Sequence, residues 1–597
     1  MPTTIEVNKQ SVEALLGSGK SKPFVIPEYQ RPYAWTDEQV ETLFEDLWDF
    51  TATSGGTERE SSYFLGSVVS YENEDGEQEI IDGQQRITSL FLLLRAIYTK
   101  LVATPASERT AEANNFIGKI EPTIWRTNKL TGMVDFKNIL LTSRVVNNEG
   151  NEILRSILET GKADENAKDN YSKNYRHFQE LFDKHSTENP LMVYQFIYAL
   201  LNQAILLPIT ADTQDTALTI FSTLNDRGLP LSDADIFKAK IYNQLAPDDK
   251  KAFIDRWKDL DEESTDANES IQQLFYYNMF YYRALDKDTK TTTPGVRKYY
   301  ATNKFERLYK PELLDTLFVI LNLWKVVNKG EELEDEAWSK NIKIRQTLDI
   351  LTSYPNEYWK YPVVIYYVCY RNEENFETRF ARFLNKLLME LMTKYLMIPT
   401  INAVKPDILK LNSAIVTSDI PTFEFKSVDL TQLEPYIQNP NRNAVRMLLK
   451  TLAYEHQDDL LPAKWEIEHI FPQKWQTNYF PDEPDATIKG KIEHIGNKLP
   501  FEKKLNIVAG NGYFGKKKKE YTASKIVITK AMGTSDVMDW NLESITKRDI
   551  RVSDEVVKIM NRWNNEYLNT SISAGKAGKP SEEELAQIEK FKKNGWI

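Results

Sequence analysis

The 597 residues hold one cysteine and five histidines. A single thiol, Cys369, excludes an internal disulfide framework and any cysteine-based zinc cluster. Long hydrophobic runs are missing as well: the longest apolar stretches, such as Tyr361–Tyr370 and Leu90–Leu94, fall far short of a bilayer's thickness. No charged segment followed by an apolar one opens the chain, so the expectation is an unexported, cytoplasmic protein with no membrane partner. No repeat of fixed period occurs. What is present is ample core material, 41% hydrophobic and 12% aromatic residues, which excludes global disorder. The length exceeds one hydrophobic core and predicts two to four domains.

The net charge of −12 argues against a generally basic nucleic-acid coat, but it hides an island. Between Lys489 and Lys530 eleven lysines face three acids, Glu493, Glu502 and Glu520. Such an island suits a phosphate-binding surface; a merely solvated lysine face is the commoner cause of a charge run.

Patterning predicts a multidomain α+β protein, predominantly helical. Residues 1–245 read as an α/β domain with strands at Ser62–Tyr71 and Gln78–Ile81. Thr36 to Gln39 forms a capping box ahead of Val40, Leu43, Phe44 and Leu47 at helical spacing, and Ser232 to Asp235 forms a second start. Residues 246–430 read as helical, and the aromatic run Leu274–Tyr282 reads as core in preference to a platform for stacking bases. Residues 431–570 shift to short apolar runs with the lysine island. Ser571–Pro580 reads as a linker before a terminal helix.

Ala14 to Ser21 (ALLGSGKS) fits a relaxed Walker A pattern, which needs a strand before it and a helix beginning at Lys20-Ser21. Here Ser11–Leu16 reads as helix and Pro23 and Pro27 bar a helix afterwards, so Gly17-Ser18-Gly19 reads as a helix-to-strand turn.

Ile81–Ser89 (IDGQQRITS) is mechanically clearer. A strand ends at Asp82-Gly83, and Ile87, Leu90, Phe91, Leu94 and Ile97 form a helical stripe. Such a turn offers free backbone N–H groups to an anion, with Gln84, Gln85 and Arg86 in the first turn and Asp82 placed to hold a metal ion or orient a water. On these residues alone the plainer alternative is slightly better: Asp82 caps the helix and Arg86 pairs with a surface carboxylate.

Ile26–Trp35 (IPEYQRPYAW), Phe64–Val69 (FLGSVV) and the IIDGQQRITSLFLL run together resemble the N-terminal domain of the GmrSD-type, modification-dependent restriction proteins. Ile220–Lys238 is similar to that family's second signature, with Asn225, Arg227, Gly228, Asp235 and Lys238 at matching places. The resemblance implies a ParB-like core that binds and hydrolyses a nucleoside triphosphate. Its pocket would hold Asp82, Gly83, Gln84, Gln85 and Arg86, with Arg31 contributing.

Trp465–Gln473 reads WEIEHIFPQ, followed by Asn497 in GNKL and by Asn506. That order, Glu-His, loop Asn, then helix Asn, resembles a ββα-metal (HNH) nuclease. In that chemistry His469 is the general base. Glu468 and Asn506 are oxygen ligands for one Mg²⁺ or Mn²⁺, and Asn497 braces the loop that orients His469. EHIFPQ, HIGNKLP, Asn511, Phe514, Lys516 and Tyr521 are similar to the nuclease half of the same family. Two departures, Glu468 for the usual Asp and Asn506 for His, disfavour zinc. His494 ranks below Asn506 as an alternative contact, and His177, His185 and His456 lack partner spacing. Lys503, Lys504, Lys516, Lys517, Lys518 and Lys519 flank the site and are candidates for the DNA backbone.

The expectation is therefore a bacterial anti-phage endonuclease, regulated by or dependent on a nucleoside triphosphate and acting on double-stranded, modified phage DNA; a homodimer stays open. Two rivals remain: a nucleotide-switched DNA clamp or sensor with a degenerate nuclease, and a toxin-like nuclease acting on RNA or host DNA.

Overall fold

The computed structural model describes residues 6–54, 61–128, 131, 133–145, 149–224, 233–476 and 484–575. The chain forms a multidomain α+β protein, mostly helical. It divides into two compact units, Met1–Asp259 and Leu260–Ile597. No described helix is long and apolar enough to cross a membrane.

The first unit is organised by a seven-stranded mixed sheet. Its strands are β1 (Glu6–Val7), β2 (Gln10–Ser11), β3 (Phe24–Ile26), β4 (Tyr63–Glu72) and β5 (Gln78–Asp82). After a small hairpin of β6 (Trp125–Thr127) and β7 (Val134–Ile139), the sheet is completed by β8 (Leu141–Ser143) and β9 (Ala204–Ala211). The central order is β9-β4-β5-β3, with β4 parallel to β9, antiparallel to β5, and β3 parallel to β5. The expected strands at 62–71 and 78–81 are β4 and β5.

The capping box forms as a box: Gln39 Oε1 accepts from the Thr36 N–H at 2.8 Å and from Thr36 Oγ1 at 2.9 Å. It starts the helix Asp37–Ser54, whose Val40, Leu43, Phe44 and Leu47 are buried. The Walker-like run does not form a P-loop. Ser11 caps the helix Val12–Ser18, accepting from the Ala14 N–H at 3.2 Å, and a turn leads from its C-terminus into β3. GSGKS thus lies at the carbonyl end of a helix, the wrong pole for phosphate.

The helix Gln84–Ala103, after β5, departs from the single stripe expected. Leu92, Leu93, Arg95 and Ala96 are buried along with that stripe, because packing covers this helix all round. Arg95 is tolerated there by donating to Leu158 O at 3.0 Å and lying over the Trp125 ring.

In the second unit the aromatic run is core: Phe275, Tyr277, Phe280 and Tyr282 are buried, and Phe280 stacks on Tyr361. The helical stretch and the later segment share this unit. Gln346 Nε2 donates to Gln457 O, and Tyr567 OH donates to Pro421 O at 2.6 Å. A two-stranded antiparallel sheet, β10 (Trp465–His469) and β11 (Lys498–Glu502), covers a small core that includes Ile470, Phe471, Leu499, Phe501 and Phe514. The helix Leu542–Gly575 carries on through residues 571–575, so helix replaces the start of the expected linker. Residues 576–597 lie outside the described residues.

The all-round burial makes a prediction. Leu93 lies off the sequence stripe, yet Leu93→Ala should cost about 2–5 kcal/mol, as a core truncation does. An exposed helix position would change stability by no more than about 0.5 kcal/mol. The denaturant midpoint of the N-terminal unit's unfolding decides between them.

Candidate functional site

The turn after β5 is built by two glycines. Gly83 is the N-cap of the helix Gln84–Ala103, at φ +88°, and it brings no side chain to cap the helix. Asp82 therefore does not cap it. A Cβ on Gly83 would stand 3.1 Å from Ser67 O and from Val68 Cγ2. Gly66, at φ +114°, lies under the Arg86 guanidinium, where a Cβ would approach within 2.9 Å. Arg86 Nη1 donates to Ser67 O at 3.0 Å. Burial holds the Arg86 pKa below its usual value, and the Asp82 carboxylate works against that shift. Arg86 thus lies across the β4 backbone, with the half-buried Asp82 carboxylate as an electrostatic neighbour.

The two glutamines have different tasks. Gln85 is spent on structure: its Oε1 accepts from the Ala34 and Trp35 N–H groups at 2.7 and 3.3 Å, and its Nε2 donates to Pro32 O at 3.1 Å. That occupies the side chain expected to meet nucleotide. Gln84 is buried; its Nε2 reaches Arg31 O at 3.5 Å, and its Oε1 has no partner. Arg31 is exposed on the same loop. An uncapped helix N-terminus and a half-buried arginine fit the phosphates of a nucleotide, whereas the orphaned Gln84 Oε1 is an acceptor and suits a donor group or a cation instead.

Further residues that sequence reasoning missed hold this loop. Gln30 Nε2 donates to Ile81 O at 3.1 Å, Tyr33 OH pairs with Ser89 Oγ at 2.6 Å, and Asn174 Nδ2 donates to Trp35 O at 2.8 Å. Asn174 is 139 positions from Trp35, too far for any local pattern to show it. The helices Gln214–Leu224 and Asp233–Gln244 close over the start of the loop: Gln214 Nε2 donates to Tyr29 OH at 2.6 Å, and Tyr242 OH donates to Glu28. Asp235 and Lys238 stand half-buried on the second of these helices. Asn225, Arg227, Gly228 and the capping Ser232 lie outside the described residues.

In the second unit the last residue of β10 is His469. Its Nε2 faces Glu493 Oε1 at 3.5 Å and Gln473 Nε2 at 3.4 Å. Burial lowers the His469 pKa; Glu493 pulls it upward, while Lys498 and Lys517 add to the lowering. The imidazole is therefore neutral at neutral pH, the form a base needs. In the sequence Glu493 is only one of three acids in the lysine island.

Asn497 is fully buried beside it. Its Oδ1 accepts from the Phe471 N–H at 2.7 Å, and its Nδ2 donates to Phe471 O and Ile492 O, both at 3.0 Å. Its own carbonyl accepts from the Ile470 N–H at 2.9 Å. One residue, through its side chain and its carbonyl, thus fixes the two residues that follow His469. Asn511 and Tyr513 hold the chain further on, at Lys474 and Gln476.

Glu468 points into a buried pair. Its Oε1 accepts from Tyr521 OH at 2.6 Å and meets Lys517 Nζ at 2.7 Å. Lys517 Nζ also donates to His469 O at 2.5 Å. Burial lowers the Lys517 pKa, Glu468 opposes that, and burial with Glu468 raises the Tyr521 pKa far above its usual value. Lys517 is 1% exposed and cannot meet DNA from this position. Lys518 is likewise engaged, donating to Ser535 O and Val537 O. Lys503, Lys504, Lys516 and Lys519 are the exposed members of the expected basic set.

Asn506 sits half-buried on the helix Lys503–Ala509, which packs against β10 and β11. No group of three or more His, Cys, Asp or Glu able to hold a metal occurs among the described residues. One carboxylate and one amide oxygen still fit, as a donor set, a hard dication that keeps several waters. His494 is no rival: its Nδ1 pairs with Asp549 Oδ2 at 2.8 Å on the long C-terminal helix. His185 pairs with Glu45 and His456 with Glu555.

A family profile described as the N-terminal domain of the GmrSD restriction endonuclease matches residues 12–242. A second, described as the C-terminal domain of GmrSD restriction endonucleases, matches residues 428–552. No curated protein matches the chain.

The buried pair makes the next prediction. Lys517→Met leaves the Glu468 carboxylate without its cation and should cost about 3–5 kcal/mol. Adding Glu468→Gln should restore part of that loss. A double-mutant cycle on denaturant midpoints measures the coupling, and simple additivity of the two changes would refute it.

Proposed function

The chain belongs to the GmrSD restriction endonuclease family, and from that premise we propose that it cuts DNA at His469 under the control of a nucleoside triphosphate bound at the Gly83 turn. The observation that carries this reading is the imidazole at the end of β10. It is kept neutral by burial and is followed by a loop that a fully buried Asn497 clamps. Such an imidazole accepts a proton from water at the ring nitrogen that carries no N–H, while the water oxygen attacks phosphorus and the 3′ oxygen leaves. Glu493 Oε1 faces Nε2 and takes an N–H there, with Gln473 beside it, which orients the ring and leaves Nδ1 as the accepting nitrogen. Glu468 and Asn506 are the residues that would hold one Mg²⁺ or Mn²⁺, which when bound supplies stabilisation of charge on the phosphate. Lys503, Lys504, Lys516 and Lys519 are the exposed cations for the DNA backbone. On this reading Lys517 is a positioning residue that holds Glu468 and the His469 carbonyl.

At the other site the phosphates meet the first N–H groups of the helix Gln84–Ala103, the buried Gln84 and the Arg86 guanidinium, with Arg31 at the rim. Gln85 acts through the loop it latches. The restricted DNA is proposed to be modified phage DNA, and nucleotide state to govern cutting, which keeps a DNA-cutting centre restrained until its target is met.

His469→Ala should keep the fold and lose about 10²–10⁴-fold in cleavage of duplex DNA with Mg²⁺ present, the loss expected for a general base. Equal cutting by the variant refutes the assignment of His469, and DNA binding without cutting by the parent protein favours the clamp.

Arg86→Ala should abolish or weaken nucleoside triphosphate hydrolysis, while Lys20→Ala should leave it unchanged. Phosphate release by both variants, assayed side by side, tests the Gly83 turn against the Walker-like run. A loss confined to Lys20→Ala would reverse the choice.

A further inference from the structure

The helix Lys503–Ala509 carries two exposed apolar residues to which the proposed chemistry gives no task. Ile507 is 71% exposed and Val508 62%, whereas Ala509 is buried and Leu505 packs against the core under the hairpin. Residues four apart share a helix face. Lys503 therefore stands one turn before Ile507, and Lys504 one turn before Val508, and both lysines are exposed. Lys516 and Lys519, on the helix Phe514–Thr522, are exposed too. The helix Lys503–Ala509 carries no acidic residue.

An apolar pair on a soluble surface loses free energy to water unless something covers it. A second copy of the chain or an apolar protein groove would cover Ile507 and Val508 but leave the lysines unanswered. Duplex DNA answers both, with phosphates outside and stacked bases within. Proteins that kink duplexes drive apolar side chains such as Ile and Leu between base steps, while nearby cations hold the backbone. The helix is also well placed for this, because it packs against both strands of the hairpin that carries His469.

We propose that Ile507 and Val508 form a wedge that enters the base stack at the cleaved step, with Lys503 and Lys504 holding the flanking phosphates. The wedge partly unstacks the duplex and so lets the scissile phosphate reach His469. This inference rests on the DNA-endonuclease reading and narrows it: the substrate is duplex, and its deformation is part of cutting.

The test compares the full-length parent protein with Ile507→Ser/Val508→Ser on two substrates with Mg²⁺ and nucleotide present. One is a fully paired duplex containing the parent's mapped cleavage step. The other is the same duplex mismatched at that step, so that it is already unstacked. The double variant should cut the paired duplex about tenfold more slowly or worse, and cut the mismatched one nearly as fast as the parent. Ile507→Leu/Val508→Leu, which keeps the apolar surface, should cut both at the parent's rate. The Ser variant should melt at the parent's temperature, because both positions are exposed.

Parent-like cutting of the paired duplex by the Ser variant overturns the wedge alone. So does a loss that the mismatch fails to restore, or one that accompanies a change in oligomeric state, which would assign the face to a second copy. A parent protein that cuts neither duplex overturns the endonuclease reading, and the wedge with it.

Discussion

A buried amide must find partners, and Asn497 finds them on both sides of the candidate cutting centre. Its side chain holds Phe471 at both backbone groups and Ile492 at its carbonyl, while its own carbonyl takes the Ile470 N–H. The loop leaving His469 is thereby tied to the loop entering β11. Everything else in the hairpin adapts to that closure. Gly496 packs so tightly on the long C-terminal helix that a Cβ would stand 2.3 Å from Ile545 O. Asp549 on that helix accepts from the Gly496 N–H at 2.8 Å. Arg548 Nη1 donates to the carbonyls of Ile495, Gly496 and Lys498. The helix is thus a polar backing for an otherwise two-stranded sheet, which alone would be marginal.

The N-terminal turn follows the same economy with different atoms. Gln85 and Asn174 satisfy backbone groups of residues 32–35, while Gln30 reaches Ile81 O and Tyr33 reaches Ser89 Oγ, and together they keep that loop against the start of the helix Gln84–Ala103. Gly66 and Gly83 leave space where the β4 backbone, the turn and the Arg86 guanidinium converge. With its latches satisfied inside the fold, the turn keeps its first helical N–H groups, Gln84 Oε1 and Arg86 as its chemically open edge. On the proposed reading, motif residues divide into those that face a ligand and those that hold the ones that do. Gln85 and Lys517 belong to the second kind, although their neighbours in sequence belong to the first.

The same division separates the charges within the second site. Lys517 and Glu468 are charges taken out of water, stable only as a pair with Tyr521. Lys503, Lys504, Lys516 and Lys519 remain hydrated and cost the fold nothing. A lysine run in sequence thus contains both a buried structural ion and a solvent-facing surface, separated by one residue.

Local chemistry was legible in the sequence: the capping box at Thr36, strands β4 and β5, the Gly83 turn into a helix, the helix-to-strand turn at 17–19, and the aromatic core at 274–282. Each depends on periodicity or on one residue's backbone freedom, and both are short-range properties. The elements that carry Glu468, His469, Asn497 and Asn506 were legible too: the first two end β10, Asn497 precedes β11 and Asn506 lies on the helix that follows it. Tertiary structure alone decided the rest. The all-round burial of the helix Gln84–Ala103, the loss of Lys517 to Glu468, the pairing of His494 with Asp549, and the meeting of Glu493 with His469 each join elements from separate stretches of chain. A hydrophobic stripe records which face one helix must bury, not how many neighbours will cover it. A lysine's letter likewise records its charge, whereas only the packed chain determines whether that charge meets a carboxylate, a phosphate or water.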